Sequence, residues 1–143
     1  MDRERNEILQ RIVSREKTDV SLIKKGNDPI FVHCAMDAVM YKLICPGEYK
    51  IKTSHLKVPI YLDADSDILF SYVGADDIEK LTAQTSESDP SPVCSYLRVF
   101  EGKEDFEDWK KNLPKTDRDK IQCISSSEAF EYAKAFLDNI ETK

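Results

Sequence analysis

The sequence predicts an α+β domain in which a small antiparallel sheet is packed with helices. Helical apolar spacing appears near both ends of the chain, and runs rich in Ile, Tyr, Val and Leu occupy the middle. The resulting order, two helices, three strands, a further strand and two helices, segregates the element types rather than alternating them. The 143 residues suit one domain, 1–143, with residues 1–28 as a short N-terminal helical segment.

Residues 4–16 place Ile8, Leu9, Ile12 and Val13 on one helical face. The run DVSLIKKGNDP then ends in the breakers Gly26 and Pro29. Asn27 or Asp28 is positioned to cap a second helix, with Pro29 at its first position, running to Ile44 before Cys45-Pro46-Gly47 stops it. EYKIKTS (48–54), VPIYLDA (58–64) and DILFSYV (67–73) read as strands of an antiparallel meander. A helical turn is expected at 75–81, a polar loop at 85–92 and a buried strand in PVCSYLRVF (92–100). EDFEDWKKNLP (104–114) predicts a short helix with Phe106 and Trp109 in the core. The last helix opens with a capping-box pair, Ser125 and Glu128, and should bury Ala129, Ala133, Phe136, Leu137 and Ile140.

Lys and Arg number 21 against 27 Asp and Glu, a net charge of −6, and no basic stripe stands out. That balance argues against nucleic-acid binding. No apolar run reaches the ~18 residues a membrane span needs, and the start MDRERNEILQ lacks a signal peptide's apolar segment. A cytoplasmic location is expected, with Cys34, Cys45, Cys94 and Cys123 reduced. None of these forms a Cys-x-x-Cys pair, so the spacing gives little sign of a zinc site.

The unusual stretch is FVHCAMDAVMYKLIC (31–45). It is apolar on every side of the expected helix, which implies burial. Asp37 lies inside it, three residues after Cys34 and so on the same helical face. Desolvation raises a carboxyl pKa, and a thiol beside such an acid can share a proton with it. The plainer alternative gives Asp37 a backbone N–H or a lysine as partner and makes Cys34 a small core residue. Tyr41, one turn on, is within reach of Asp37 or is a core aromatic. Cys45, Cys123 and His33 read as packing or surface residues. DADSD (63–67) lacks the Gly and distal Glu of a calcium loop and reads as an acidic turn.

HCAMDAVMY (33–41) resembles the Cys-Ala-x-Asp segment of the organomercurial lyase (alkylmercury lyase) family. KIKTSHLKVPIYLD (50–63) is similar to the strand pair that follows in that family, and PVCSYLRVF to the strand bearing its second catalytic cysteine. FEDWKKNLP and CISSSEAFEYAKAF are similar to its closing helices. The resemblance covers about residues 29–138 and implies that Cys34, Asp37 and Cys94 are catalytic and hold the metal. It implies cleavage of a carbon–mercury bond in a small organomercurial, with Hg(II) as bound product and no required cofactor. Low-molecular-weight thiols would act as co-reactants and a mercuric reductase as metal acceptor.

The chain departs from the family in places. About 28 residues precede the catalytic segment, where the family has a longer helical domain. His33 stands where an aromatic is common, Ser95 where a second adjacent cysteine often stands, and Leu56 near the place of a further cysteine.

The chemistry fits these residue types. Mercury prefers thiolates, and the thiolate is the reactive form of cysteine. The departing carbon needs a proton, and an acid in a dry site keeps one ready. Two other readings share the same residues: a soft-metal binding protein that captures Hg(II) without cleavage, and the family scaffold applied to another organometal.

Overall fold

The computed structural model describes residues 2–73 and 97–141. Helix α1 (Asp2–Ile12) leads into strand β1 (Val20–Ile23), strand β2 (Ile30–Val32) and helix α2 (Ala35–Ile44). Strands β3 (Lys50–Lys52), β4 (Ile60–Tyr61) and β5 (Leu69–Val73) follow. Strand β6 (Val99–Phe100), helix α3 (Lys103–Lys110), the short helix α4 (Lys115–Arg118), strand β7 (Ile121–Ser125) and helix α5 (Ser126–Glu141) complete the order. The class is α+β as expected, but the described strands form two antiparallel sheets, ordered β2-β1-β3-β4 and β6-β5-β7.

The meander therefore breaks after β4. Strand β5 leaves the first sheet and lies between β6 and β7, with Phe70 opposite Val99 on one side and Ile124 on the other. Turn spacing along the chain predicts consecutive strands but cannot predict a change of sheet.

The helix expected from Pro29 to Ile44 is a strand followed by a helix. Ile30, Phe31 and Val32 pair with Leu22, Ser21 and Val20 of β1. The reversal between them uses Gly26 at φ +84°, a value costly for other residues. On the other side of β2 the tail of α1 closes the edge. Val13 bridges to Val32, the Ser14 N–H donates to the Phe31 carbonyl at 2.8 Å, and the His33 N–H donates to the Ile12 carbonyl at 3.3 Å. A short apolar run has no periodicity of its own to separate strand from helix. The pairing partners on both sides decide it.

Helix α2 is enclosed by α1, α5, β1 and β2. Ala35, Ala38 and Val39 are fully buried and join Leu22, Val32, Ile51, Leu62 and Phe70 in the main core. This burial explains why α2 is apolar on nearly every side. A second cluster holds Val73, Phe100, Phe106 and Ile121, with Trp109 packed against it, as expected for that aromatic pair. A third joins Ile8 and Ile12 of α1 to Leu137 of α5.

The capping box at α5 is present. The Glu128 carboxylate accepts the Ser125 N–H, and the Glu128 N–H donates to Ser125 Oγ, both at 3.2 Å. Phe136 departs from expectation: it is 49% exposed rather than buried. DADSD forms a turn in which the Ser66 N–H donates to the Asp63 carbonyl at 3.1 Å and Asp63 pairs with Lys42. The expected helical turn at 75–81, the loop at 85–92 and Cys94 lie outside the described residues. No helix among the described residues is long and apolar enough to cross a membrane.

Candidate active site at the head of helix α2

Because the helix starts at Ala35, Cys34 is its N-cap, in extended conformation at φ −151°, ψ 173°. Reading the helix from Pro29 puts Cys34 more than a turn inside, where the helix dipole contributes little. At the N-cap the thiol instead faces the end of the helix that favours negative charge. Asp37 falls in the first turn, the place where an acid reaches back to the capping residue.

Cys34 is buried, with 2% of its surface exposed, and Asp37 is half-buried. The Asp37 carboxyl lies beside the Cys34 thiol and the backbone N–H groups of Cys34 and His33, which favour its charged form. Burial dominates its ionisation and pushes its pKa up to about 7, against the downward pull of those neighbours. A carboxyl with that affinity releases and recovers a proton near neutral pH.

The other expected residues sort clearly. The Tyr41 hydroxyl lies beside Cys45 and its ring meets Tyr49 edge-on at 5.7 Å, at the far end of α2 from Cys34. Cys45 caps the C-terminal end of α2, and its carbonyl accepts the Tyr49 hydroxyl at 2.9 Å. Cys123 sits half-buried in β7 against the second cluster. Leu56 is a core residue. His33 is more involved than a surface histidine, since its backbone N–H donates to the Ile12 carbonyl at 3.3 Å beside the site. With Leu9, Val13, Arg15 and Tyr41 it lines a shallow groove between α1 and α2.

Sequence reasoning did not single out Leu97, Arg98 or His55. The Leu97 carbonyl accepts the N–H of Ala35, the first residue of α2, at 3.1 Å. Arg98 Nη1 lies 3.4 Å from Asp19 Oδ2 and 3.4 Å from His55 Nε2. These residues are far apart in the chain, and no local pattern marks them.

The alkylmercury lyase family model matches residues 13–138, which is most of the chain. The chain belongs to the alkylmercury lyase family. The matched range contains the α2 head with Cys34 and Asp37, and also Cys94. Nine chains of solved structures match. One of them, the mercury-bound form of MerB2, aligns with a TM-score of 0.57 at 12% identity, covering 94% of this chain and 73% of that one. That likeness carries the α+β fold of the alkylmercury lyases. No curated protein matches the chain.

Proposed function

We propose that this alkylmercury lyase family member cleaves carbon–mercury bonds, with Cys34 and Cys94 as thiolate ligands and Asp37 as the proton carrier. The observation that carries the reading is the buried Cys34 thiol beside a carboxyl whose pKa burial pushes up to about 7, at the head of a helix. Family membership supports the substrate class.

In this reading the substrate is R–Hg–X, where X is a thiolate ligand. Mercury exchanges X for the Cys34 sulfur: the Hg–X bond breaks, X leaves as thiolate and takes up the Cys94 proton, and the Cys34 proton passes to the Asp37 carboxylate. Ligation by a second sulfur raises electron density on mercury and weakens its bond to carbon. The Asp37 proton then goes to that carbon. The carbon–mercury bond breaks, R–H leaves, and Hg(II) stays on sulfur until a small thiol removes it. The half-buried site slows loss of the Asp37 proton to water before the carbon needs it.

Cys94 is assigned as the second sulfur on the resemblance and on covalent reach. It lies three positions before Leu97 in the chain, and three extended residues span at most about 10 Å. Leu97 itself touches Ala35, next to Cys34.

Incubation of the full chain with methylmercury and excess thiol should release methane. Asp37→Asn should abolish release while Hg(II) binding persists. Methane at the normal rate from Asp37→Asn would remove Asp37 as the proton donor. Tight Hg(II) binding by the wild type with no methane would leave a soft-metal binding protein.

A further inference from the structure

Residues 97 and 98 join four parts of the molecule at the head of α2. The Leu97 carbonyl accepts the Ala35 N–H. The backbone of Arg98 is pinned to β5: its N–H donates to Ser71 Oγ at 2.7 Å, and its carbonyl accepts the Ser71 N–H at 2.9 Å. Its guanidinium crosses to the first sheet. There it meets Asp19, just before β1, and His55, in the loop after β3. Asp19 is fixed in turn, because Asp19 Oδ1 accepts the Ser54 N–H at 3.1 Å. His55 is held against Phe100, with ring centres 4.9 Å apart, and against Trp109 of α3 at 6.4 Å. One side chain thus ties the first sheet to the second at the carbonyl that seats the helix carrying Cys34 and Asp37.

The His55 contact works in one protonation state. A guanidinium only donates, so the facing Nε2 must accept, which requires the neutral imidazole with its proton on Nδ1. A protonated ring would set an N–H and a positive charge against Arg98. Burial and Arg98 both lower the pKa of His55, while Asp19 and Asp105 of α3 act in the opposite sense.

We propose that Arg98 is a positioning residue for the Cys34–Asp37 pair, and that neutral His55 holds its guanidinium so that the clasp loosens on acidification. The proposal deepens the lyase reading and rests on it only for the link to turnover. Asp19 and His55 hold the guanidinium from the first sheet, Ser71 holds the backbone from the second, and the Leu97 carbonyl carries that fixed position to the first amide of α2. A loose clasp lets the helix head drift, and reacting groups misplaced by a fraction of an ångström lose rate steeply.

The test uses the full chain and two readouts: hydrogen exchange at the Ala35 amide, and kcat and KM for methane release from methylmercury. Arg98→Met should speed Ala35 exchange about tenfold and lower kcat by a similar factor with little change in KM, the pattern of lost alignment rather than lost binding. Arg98→Lys, which keeps the charge, should recover part of both. In the wild type, Ala35 protection should fall in the acid range, below the ordinary histidine value of about 6.5. His55→Gln keeps an acceptor that cannot titrate, and its Ala35 exchange should lack that acid step. Unchanged Ala35 exchange in Arg98→Met, or an acid step that survives in His55→Gln, would overturn the proposal. If Arg98→Met fails to fold, the His55→Gln comparison still decides. If the wild type releases no methane, the lyase reading fails, and the exchange data still judge the clasp.

Discussion

At the residue scale, the central fact is the proton affinity of Asp37. An unfolded aspartate ionises near about 3.9, whereas folded Asp37 titrates near about 7 because burial disfavours its charge. Between those values the folded state holds the extra proton, so this residue's effect is a loss of stability as pH rises from about 4 to 7. That is the reverse of the usual ion-paired carboxylate. Asp37→Asn should therefore be more stable than wild type above pH 7, by about 1–3 kcal/mol after allowing for partial solvent access. Urea titrations of both proteins at pH 5 and pH 8 check it, with the difference expected at pH 8 and absent or much smaller at pH 5. A catalytic variant that gains stability as it loses turnover marks a group kept for chemistry rather than for folding. Cys34 is suited to this neighbour because a thiol is compact enough to be buried at an N-cap beside the carboxyl.

At the element scale, strand β2 and helix α2 form one unit with a sharp corner at His33–Cys34. The corner puts the thiol at the helix end, and the end of α1 at Ile12 with the following Val13 and Ser14 buttresses it. The closing helix α5 depends on its capping box in a simpler way. Ser125→Ala removes the acceptor for the Glu128 N–H and should cost about 1 kcal/mol. The urea midpoint should fall with an unchanged slope, since no extra surface is exposed. Ser125 is distant in sequence from Cys34, and turnover of the folded fraction should not change.

At the scale of the whole molecule, two small sheets share their packing with α2 and α5. Phe100 is 1% exposed and joins Phe106, Trp109 and His55 where the sheets approach. Phe100→Leu should destabilise the fold by about 1–2 kcal/mol through the volume it leaves empty. It should also reduce protection of the Ala35 amide, because His55 loses its backing; exchange measured beside the urea midpoint separates the two effects. Part of this organisation was legible in the chain. The helices bearing Ile8 and Ile12, Phe106 and Trp109, and Ala129 and Ala133 have strong periodicity or clear caps, and they formed where expected. Strands β1, β2 and β7 were not legible. VSLI and IFV are too short for a period to show, and IQCIS breaks the inside–outside alternation, with burial at Ile121 and Ile124 rather than at every second residue.

The sequence by itself determined the α+β class, the family, through four segments in the family's order, and the spacing of Cys34 and Asp37. Local spacing suffices for that pair because its partners are three residues apart. Only the tertiary structure decided that Cys34 ends a strand and caps a helix, and that Arg98 meets Asp19 and His55 across two sheets. Strand pairing and side-chain convergence between distant segments depend on which surfaces bury each other. No window of neighbouring residues carries that information.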